Sequence, residues 1–578
     1  MPHISAIELE NFQSIEQRTR IEFKPLTLLF GPNSAGKSSV FDALELLRRL
    51  LDPTYFDEKI ATDMVDRWAR RKGNEPHRET FLAVEFPFEY EDFFEIWNDD
   101  SNWLGNSNRS DSPKFYLDQE DQMGFNDLWG KTVRIELLLK VINNKSQTIS
   151  RLSECKCFVK DRLMLSISKN DPINIEKIAH LENEEDDWRR WISIKNDFDF
   201  IDSSLLVDLR DMGDSKNREI VWNDDETGLT VKAGIFTLSL SPLKIIPDSW
   251  FDRIDLKDSA NRICRNAHDI LFYFGTLLYK NVRKQPNLVK SDRRAPNPNE
   301  ALAVVDLGLS GWWSRTLFSP SSPASLLKSI SKDLDEHFQG LAEAAHADLL
   351  LRTASSDFWG DSHAAKHIES VRNRAHELEI VNHHLEKSLF KEKLYKLACA
   401  ATLMVPIDLN EDDPWSYYAL AQPAAVRLFL QDGEGQKVDF HDVGSGIPFV
   451  LPILYVVACQ GFVKVQQPEL HLHPALQSSL ADVFVEELNR KDSGQFLIET
   501  HSEHLLLRLL RRIRDTEKNN CLSDELKLSN KDLAVYYFDP QVSGGTIVTR
   551  QLVTPLGDFY TDWPRGFFAE RNRDLFDE

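Results

Sequence analysis

The stretch GPNSAGKSS, Gly31–Ser39, decides the fold, because it matches the phosphate-binding pattern G-x-x-x-x-G-K-[ST] at every fixed position. The run before it, Ile21–Phe30, is strand-like, and apolar residues recur at helical spacing after it. Strand, glycine loop and helix therefore come in the order that a nucleotide-phosphate site needs. The alternative is a chance glycine turn before an amphipathic helix, which the complete match and the flanking patterns disfavour.

Each residue type in this loop has a chemical reason to be there. Gly31 and Gly36 let the backbone curl so that N–H groups and the N-terminus of the next helix point at phosphate oxygens. Lys37 adds a cation, and Ser38 adds a hydroxyl ligand for Mg²⁺. The sequence thus predicts ATP and Mg²⁺ as cofactors. The predicted binding residues of the loop are Gly31, Pro32, Asn33, Ser34, Ala35, Gly36, Lys37, Ser38 and Ser39.

Composition limits the possible partners and location. A net charge of −23 over 578 residues argues against a broad nucleic-acid-binding surface, so any contact with DNA must be local. The six cysteines lack the paired spacing of a zinc site and are typical of reduced cytosolic thiols. No secretory signal pattern opens the chain, and prolines interrupt the longest apolar tract. We therefore expect a cytoplasmic protein without a membrane anchor.

The residues around the glycine loop carry a family resemblance. Ile4–Glu10 alternates apolar and polar residues, and the turn NFQS follows it before the second strand and GPNSAGKS. This order resembles the heads of RecF, SMC and overcoming-lysogenization-defect (OLD) ATPases, in the ABC branch of P-loop proteins. The resemblance, which covers about residues 1–50 and 400–578, implies an α/β ATPase head of ABC type.

The middle of the chain is predicted from patterns alone. Strand-like runs at Phe81–Phe88, Val133–Ile142, Cys157–Ile167 and Gly234–Ile246 predict an antiparallel β lobe with an acidic insertion. Beyond them the periodicity becomes helical. The predicted segments are 1–50, the N-terminal part of the head with the glycine loop; 51–258, the acidic insertion and β lobe; 259–401, a helical insertion; and 402–578, the C-terminal part of the head.

Three polar clusters in the middle have competing interpretations. An acidic run is favoured as a solvated loop over a metal cluster. Two histidines four residues apart lack a third ligand at a supporting spacing, which favours a solvated helix face over a metal site. An arginine pair is either a loop ion pair or a phosphate contact. The clusters are Asp197, Asp199 and Asp202; His363 and His367; and Arg293 and Arg294.

The turn Gly444–Gly446 opens an apolar helix in the segment HDVGSGIPFVLPIL. This segment resembles the signature of a bacterial ATPase subfamily rather than that of transporters. The resemblance implies that Ser445 and Gly446 of one subunit meet the γ-phosphate bound by a second subunit, through N–H groups at a helix N-terminus. It therefore predicts a homodimer or a higher oligomer.

The segment VKVQQPELHLHP, Val463–Pro474, resembles the Walker B strand and the PE-x-x-LHP turn of the same subfamily. In relatives the first polar position helps to hold Mg²⁺ and the second orients the attacking water. Here these positions are Gln466 and Gln467, and a neutral amide is neither a carboxylate ligand nor a general base. Gln466 is interpreted as the near-isosteric substitute for a native Glu, or as part of a naturally slow site. Glu469 is the nearest remaining carboxylate.

The histidines of the LHP turn and of the next strand end have competing interpretations. The pair His471 and His473 fits the LHP turn better than a zinc site, because a third ligand is lacking. After the strand FLIET, His501 matches the switch histidine, which the resemblance implies to contact the γ-phosphate; the alternative is a capping histidine beside Ser502. Four arginines on the next helix are candidate DNA contacts, although cations near helix ends are common. They are Arg508, Arg511, Arg512 and Arg514.

The ending, with its WP-x-GFF motif, resembles the same subfamily. No D-x-D pair follows His501, so we do not expect the Toprim nuclease of OLD-type and Gabija-type relatives. The resemblance implies an ATP-driven switch in bacterial DNA maintenance or anti-phage defence that controls a separate effector, a nuclease or a toxin. The alternative is a non-hydrolysing, ATP-bound scaffold that holds or inhibits a partner.

Overall fold

A computed structural model of the chain divides into two compact units. The first comprises Met1–Lys24, Gly31–Lys284 and Tyr536–Arg550, and the second comprises Pro25–Phe30, Gln285–Val535 and Gln551–Glu578. The structure describes residues 4–51, 64–65, 67–68, 79–87, 132–144, 147–159, 162–168, 194–195, 218–222, 229–233, 236–240, 288–291, 302–305, 336–354, 356–360, 362–403, 424–440, 442–444, 446–459, 461–490, 494–520, 523–542, 544–561 and 563.

The described residues form the following strands and helices. The strands are β1 (Ala6–Glu10), β2 (Thr19–Glu22), β3 (Leu26–Phe30), β4 (Thr80–Pro87), β5 (Thr132–Asn144), β6 (Gln147–Val159), β7 (Arg162–Ser168), β8 (Ile194–Lys195), β9 (Arg218–Trp222), β10 (Leu229–Ala233), β11 (Phe236–Leu240), β12 (Leu288–Val289), β13 (Leu302–Val305), β14 (Lys396–Leu403), β15 (Ala424–Gln431), β16 (Lys437–Val438), β17 (Phe462–Gln466), β18 (Gln495–Glu499), β19 (Leu533–Pro540) and β20 (Thr546–Gln551). The helices are α1 (Ser38–Leu51), α2 (Glu336–Thr353), α3 (Ser356–Gly360), α4 (Ser362–His383), α5 (Gly446–Ala458), α6 (Pro474–Leu488) and α7 (Glu503–Glu517), with a π-helical turn at His384–Leu389 and a 3₁₀ turn at Asp524–Leu526.

The first unit contains the predicted antiparallel β lobe. Its main sheet has the strand order β2-β1-β4-β5-β6-β7-β8, and β9, β10 and β11 form a separate antiparallel sheet. β1 pairs with both β2 and β4, so the opening hairpin belongs to the lobe. The single strand predicted at Cys157–Ile167 is wrong, because β6 ends at Val159 and β7 returns from Arg162.

Charged side chains cross the strands of this lobe. Arg134 on β5 forms ion pairs with Glu8 on β1 and with Glu85 on β4. Arg20 on β2 also binds Glu85, with Nη2 donating to Oε2 over 2.7 Å. Burial alone would raise the pKa of Glu8 and of Glu85, but the hydrogen bonds from these arginines outweigh it and lower both pKa values. The network therefore ties four neighbouring strands together through ionised carboxylates.

The second unit is built on parallel strands, which confirms the predicted α/β class. β12, β17, β18 and β3 lie side by side in that order and all run parallel. Every residue of β3 and of β18 is buried, as expected for central strands of a parallel sheet. A second sheet of this unit joins β13, β15 and β14, with β16 paired to β15. The helices α2, α4, α5, α6 and α7 belong to the same unit.

Two sequence predictions about this region need correction. The strand predicted at Ile21–Phe30 is two strands, β2 and β3, separated at Phe23–Pro25, where proline has no N–H to donate. The segment 259–401 is not purely helical, since its described residues include β12, which pairs with β17, and β13. A strand of two residues has no periodicity from which a sequence could predict it.

Several predicted features lie outside the described residues. They are Asp197, Asp199 and Asp202, Arg293 and Arg294, Ser445, and the side chain of His363. The boundaries of the four predicted segments stay a prediction. Among the helices that the structure describes, none combines the length and the apolar character that crossing a bilayer requires.

Candidate nucleotide-binding site

The two fixed glycines of the loop are required by close backbone approaches. Gly31 has φ +147°, and a Cβ there would lie 2.6 Å from the carbonyl oxygen of Phe538. Gly36 has φ +87°, and a Cβ there would lie 1.7 Å from the Ser14 Oγ. Neither position has room for a side chain, and both backbone conformations favour glycine. The NFQS turn therefore packs directly on the glycine loop.

Lys37 is buried inside the loop that it belongs to. The residue is only 2% exposed. Its Nζ donates hydrogen bonds to the carbonyl oxygens of Gly31 at 3.0 Å and Pro32 at 2.9 Å. Thr546 on β20 also contacts the loop, since its hydroxyl donates a hydrogen bond to the Ala35 carbonyl over 2.8 Å. The ammonium group is thus held at the loop, where a bound phosphate would need it.

The two serines at the start of α1 lie in different environments. Ser38 is the first residue of the helix and is exposed, which suits a hydroxyl ligand for Mg²⁺. Ser39 is buried, and its hydroxyl donates to Gln13 Oε1 over 2.6 Å. Gln13 in turn donates to Asp42 on α1 over 2.7 Å. Sequence reasoning missed the role of Gln13 in this link, although the NFQS turn that contains it was the available signal.

In the second unit, the carboxyl ends of three parallel strands line up at one edge of the sheet. Gln466, the last residue of β17, pairs with Glu499 on β18, and Glu499 pairs with Leu29 on β3. The glycine loop begins two residues after Leu29 in the sequence. Ligands of open α/β sheets bind at such carboxyl ends. Gln466 and the backbone turn after it are thus at the edge where the resemblance predicts catalytic residues.

A buried carboxylate lies beside Gln466 that sequence reasoning did not select. Glu499 is 7% exposed, and because paired residues of adjacent strands point to the same face, its side chain shares a face with Gln466. Gln467 adopts φ +46° and donates its backbone N–H to the Glu499 carbonyl over 2.7 Å. The sequence pattern that could have identified Glu499 is an acid at the end of the apolar strand FLIET.

Glu469 holds the backbone around the predicted switch histidine. Its Oε2 accepts from the Thr500 hydroxyl, and its Oε1 accepts from the backbone N–H of His501, both at 2.7 Å. This arrangement makes Glu469 a positioning residue. The helix cap beside it is Ser502, whose Oγ accepts from Leu505 N over 3.0 Å, so the alternative of a capping role for His501 is wrong. His501 is half-buried, and its predicted contact with a γ-phosphate stays a prediction.

The LHP turn packs near the start of α5. His473 caps α6, with its Nδ1 accepting from Ala475 N over 3.3 Å, while the His471 ring lies 4.2 Å from the Phe449 ring. The two histidines of the LHP turn therefore have different contacts, a helix cap for His473 and a ring contact for His471. A Cβ on Gly446 would lie 3.3 Å from the His471 carbonyl oxygen, so glycine lets the helix begin close to this turn.

The arginines of α7 are occupied by protein groups. Arg508 and Arg512 both bind Asp482 on α6, with closest distances of 2.6 Å and 2.7 Å. Burial would raise the pKa of Asp482, but the hydrogen bonds from Arg512 and Arg508 outweigh it and lower the pKa. Arg514 Nη2 lies 2.9 Å from Asp558 Oδ1, and Arg511 Nε lies 3.5 Å from Asp515 Oδ2. These contacts give no support to the predicted DNA contact.

Two protein-family models match the sequence. One, described as "AAA ATPase domain", matches residues 3–123, which include the glycine loop. The other, described as "AAA domain, putative AbiEii toxin, Type IV TA system", matches residues 235–508, which include Gln466 and His501. Each model matches less than half of the chain, and both support the prediction of an AAA-type P-loop ATPase.

Solved structures similar to this chain include SMC heads. The head bound to the C-winged helix domain of ScpA has 12% identity and a TM-score of 0.37, covering 95% of this chain and 98% of that one. The SMC head domain from Thermotoga maritima has 8% identity and a TM-score of 0.31, covering 95% and 98%. Scores this low support no inference about this chain. No curated protein matches its sequence.

Proposed function

We propose that this chain is an ABC-type, ATP-hydrolysing switch that pairs two heads around nucleotide and controls a separate effector in bacterial DNA maintenance or anti-phage defence. The observation that carries the proposal is the glycine loop, with Lys37 buried against its carbonyls and Ser38 exposed at the start of α1. The effector and the cellular role are supported by the sequence resemblance and by the toxin named in the second family description, which is a property of that family.

The residues of the loop fit Mg²⁺ and ATP. Bound ATP supplies the phosphoanhydride bond whose hydrolysis drives the switch. Lys37 would exchange its carbonyl partners for β- and γ-phosphate oxygens, and the N–H groups between Gly31 and Gly36 would surround the phosphates. Ser38 would offer its hydroxyl to Mg²⁺, which prefers oxygen ligands. Gln466 fits Mg²⁺ less well, because its amide carbonyl is a neutral oxygen ligand.

Head pairing depends on the start of α5. Gly446 is the first residue of this helix, whose N-terminus carries partial positive charge and oriented N–H groups. We propose that Ser445 and Gly446 contact the γ-phosphate bound by a second copy of the chain, which makes ATP the trigger of pairing. In the Ser445→Arg variant, a bulky cation should prevent ATP-dependent pairing while a single head still binds ATP. Light scattering after size-exclusion chromatography measures this, and pairing that survives the substitution would contradict the proposal.

A second candidate function is the non-hydrolysing scaffold. It is favoured by the amides of Gln466 and Gln467 at the end of β17, neither of which is a general base. ATP turnover measured with and without DNA separates the two functions. Turnover under any of these conditions supports the switch, whereas ATP binding with zero turnover under all of them supports the scaffold.

A further inference from the structure

A buried histidine in the second unit stands where α4 changes its helical winding. His384 begins the π-helical turn, and Phe390 N donates to the Leu385 carbonyl over 2.9 Å within it. Short π-helical turns are rare and occur often at functional sites. His384 is fully buried, whereas the preceding His383 is exposed. Two consecutive histidines thus lie at the border between the core and the solvent.

The ring of His384 is oriented by a carboxylate on α6. Nε2 lies 2.6 Å from Glu487 Oε1, and the Glu487 side chain is only 2% exposed. Arg490 Nε also lies 3.2 Å from this carboxylate oxygen. A neutral imidazole that donates from Nε2 presents a lone pair at Nδ1. A carboxylate on the far ring nitrogen is the usual outer partner of a metal-bound histidine.

The other ring nitrogen faces further ligand atoms. Nδ1 of His384 lies 3.4 Å from Glu486 Oε2 and 3.2 Å from Ser388 Oγ, and Ser388 Oγ donates to Glu486 Oε2 over 3.1 Å. The His383 ring centroid is 5.3 Å from that of His384. One ligand atom from each of His383, His384 and Glu486 lies within 4.8 Å of the others. The donor set is two imidazoles and one carboxylate.

We propose that His383, His384 and Glu486 form a binding site for a transition-metal cation, with Zn²⁺ as the best fit. Two histidines and a glutamate are an established zinc donor set, and imidazole favours zinc over Mg²⁺ or Ca²⁺. Ligand atoms about 3.3 Å apart would surround a tetrahedral zinc ion, so the three groups must draw together slightly. Of the three residues, His383 is the exposed one, so an ion would enter, and a water would complete its ligands, from the His383 side.

The site would link α4 to α6. α6 starts at the LHP turn and carries Asp482, the shared partner of Arg508 and Arg512 on α7. A metal ion would therefore fix α6 at its C-terminal end, as Asp482 does nearer its middle. This role is independent of whether the glycine loop binds ATP.

The competing occupant of Nδ1 is a proton. Burial alone would lower the pKa of His384, but the hydrogen bonds to Glu486 and Glu487 outweigh it and raise the pKa. A protonated His384 between two glutamates is a buried ion pair that needs no metal. Metal binding must therefore be measured directly.

The test uses the full chain, freed of metal by a chelator and titrated with ZnCl₂ in the absence of nucleotide against a chromophoric zinc indicator. We expect one tightly bound equivalent, with an affinity that falls by at least about tenfold in His383→Gln and in Glu486→Gln. His376→Gln, at an exposed position on the same helix as His383, is the matched control that should keep the site.

Thermal unfolding supplies a second measurement. Zinc should raise the Tm of the unchanged chain and of His376→Gln, but not that of His383→Gln, because a ligand that binds only the folded state stabilises it. Co²⁺ should give the absorption of a tetrahedral site in the same pattern. A chain that binds no zinc at micromolar concentration, or a His383→Gln variant that binds it unchanged, would overturn the proposal and leave the buried ion pair as the explanation.

Discussion

The glycine loop and the turn after β17 hold their shapes in different ways. In the loop, Gly36 packs on Ser14 and Lys37 bonds to loop carbonyls, so backbone and one cation supply the chemistry. In the turn, Gln466 and Gln467 are neutral side chains, while Glu469 is engaged in holding Thr500 and His501. Under the proposed function, the comparison assigns nucleotide binding and nucleotide hydrolysis to separate residues. Each is therefore expected to be lost or gained without the other.

The largest expected effect is on the loop. Lys37→Ala removes the cation that would neutralise phosphate charge, and we expect ATP affinity to fall by about 100-fold, since a hydrogen bond to a charged group contributes about 3 kcal/mol at most. Calorimetric titration with ATP measures this. Lys531→Ala, at an exposed position, should bind ATP normally. An unchanged affinity in Lys37→Ala would show that the loop does not bind the phosphates.

The second prediction tests whether the loop depends on its packing against the NFQS turn. Gly36→Ala places a Cβ against Ser14 and should lower the free energy of unfolding by about 3 kcal/mol, from overlap together with the left-handed backbone. Gly435→Ala is the matched control, because Gly435 has a similar φ of +81° and open space around it. It should cost only about 1 kcal/mol. Equal costs in denaturant unfolding would mean that conformation, and not packing, dominates.

The third prediction tests whether position 466 limits hydrolysis. Gln466→Glu places a carboxylate at the end of β17, and we expect single-turnover hydrolysis at saturating Mg²⁺ to rise by about tenfold, or about 1.4 kcal/mol of barrier. ATP affinity should change little. Gln436→Glu, at an exposed site, is the control. Equal rates in the two proteins would show that position 466 is not the missing acid and would favour the scaffold.

The smallest effect concerns pH and the β lobe. The folded state lowers the pKa of Glu8 and Glu85, so their contribution to stability is complete above the unfolded pKa of Glu, about 4.3, and is lost as pH falls through the lower folded values. Denaturant unfolding at several pH values should show this loss. Glu85→Gln should make the acid dependence shallower, and an unaltered dependence would exclude Glu85 as a contributor.

Local patterns predicted most of the elements that carry the motifs. β17, α6, β18 and α7 follow the predicted order because alternation and helical periodicity are properties of consecutive residues. Contacts between distant residues were not predictable in this way. Glu499 is beside Gln466 only because β17 and β18 pair in that register, and Gln13 meets Ser39 only after the first turn packs on α1. The nucleotide contacts of Ser445 and His501 stay predictions.

The carboxylate of Glu469 has a consequence for timing. It belongs to the turn that follows Gln467, yet both of its oxygens accept hydrogen bonds from the residues that follow β18, Thr500 and His501. A displacement of that turn must carry the His501 backbone along or break both hydrogen bonds. Water attack is expected at the turn after Gln467, and His501 is expected to sense its outcome. The two are therefore expected to move in one step, without a delay between hydrolysis and the change at His501.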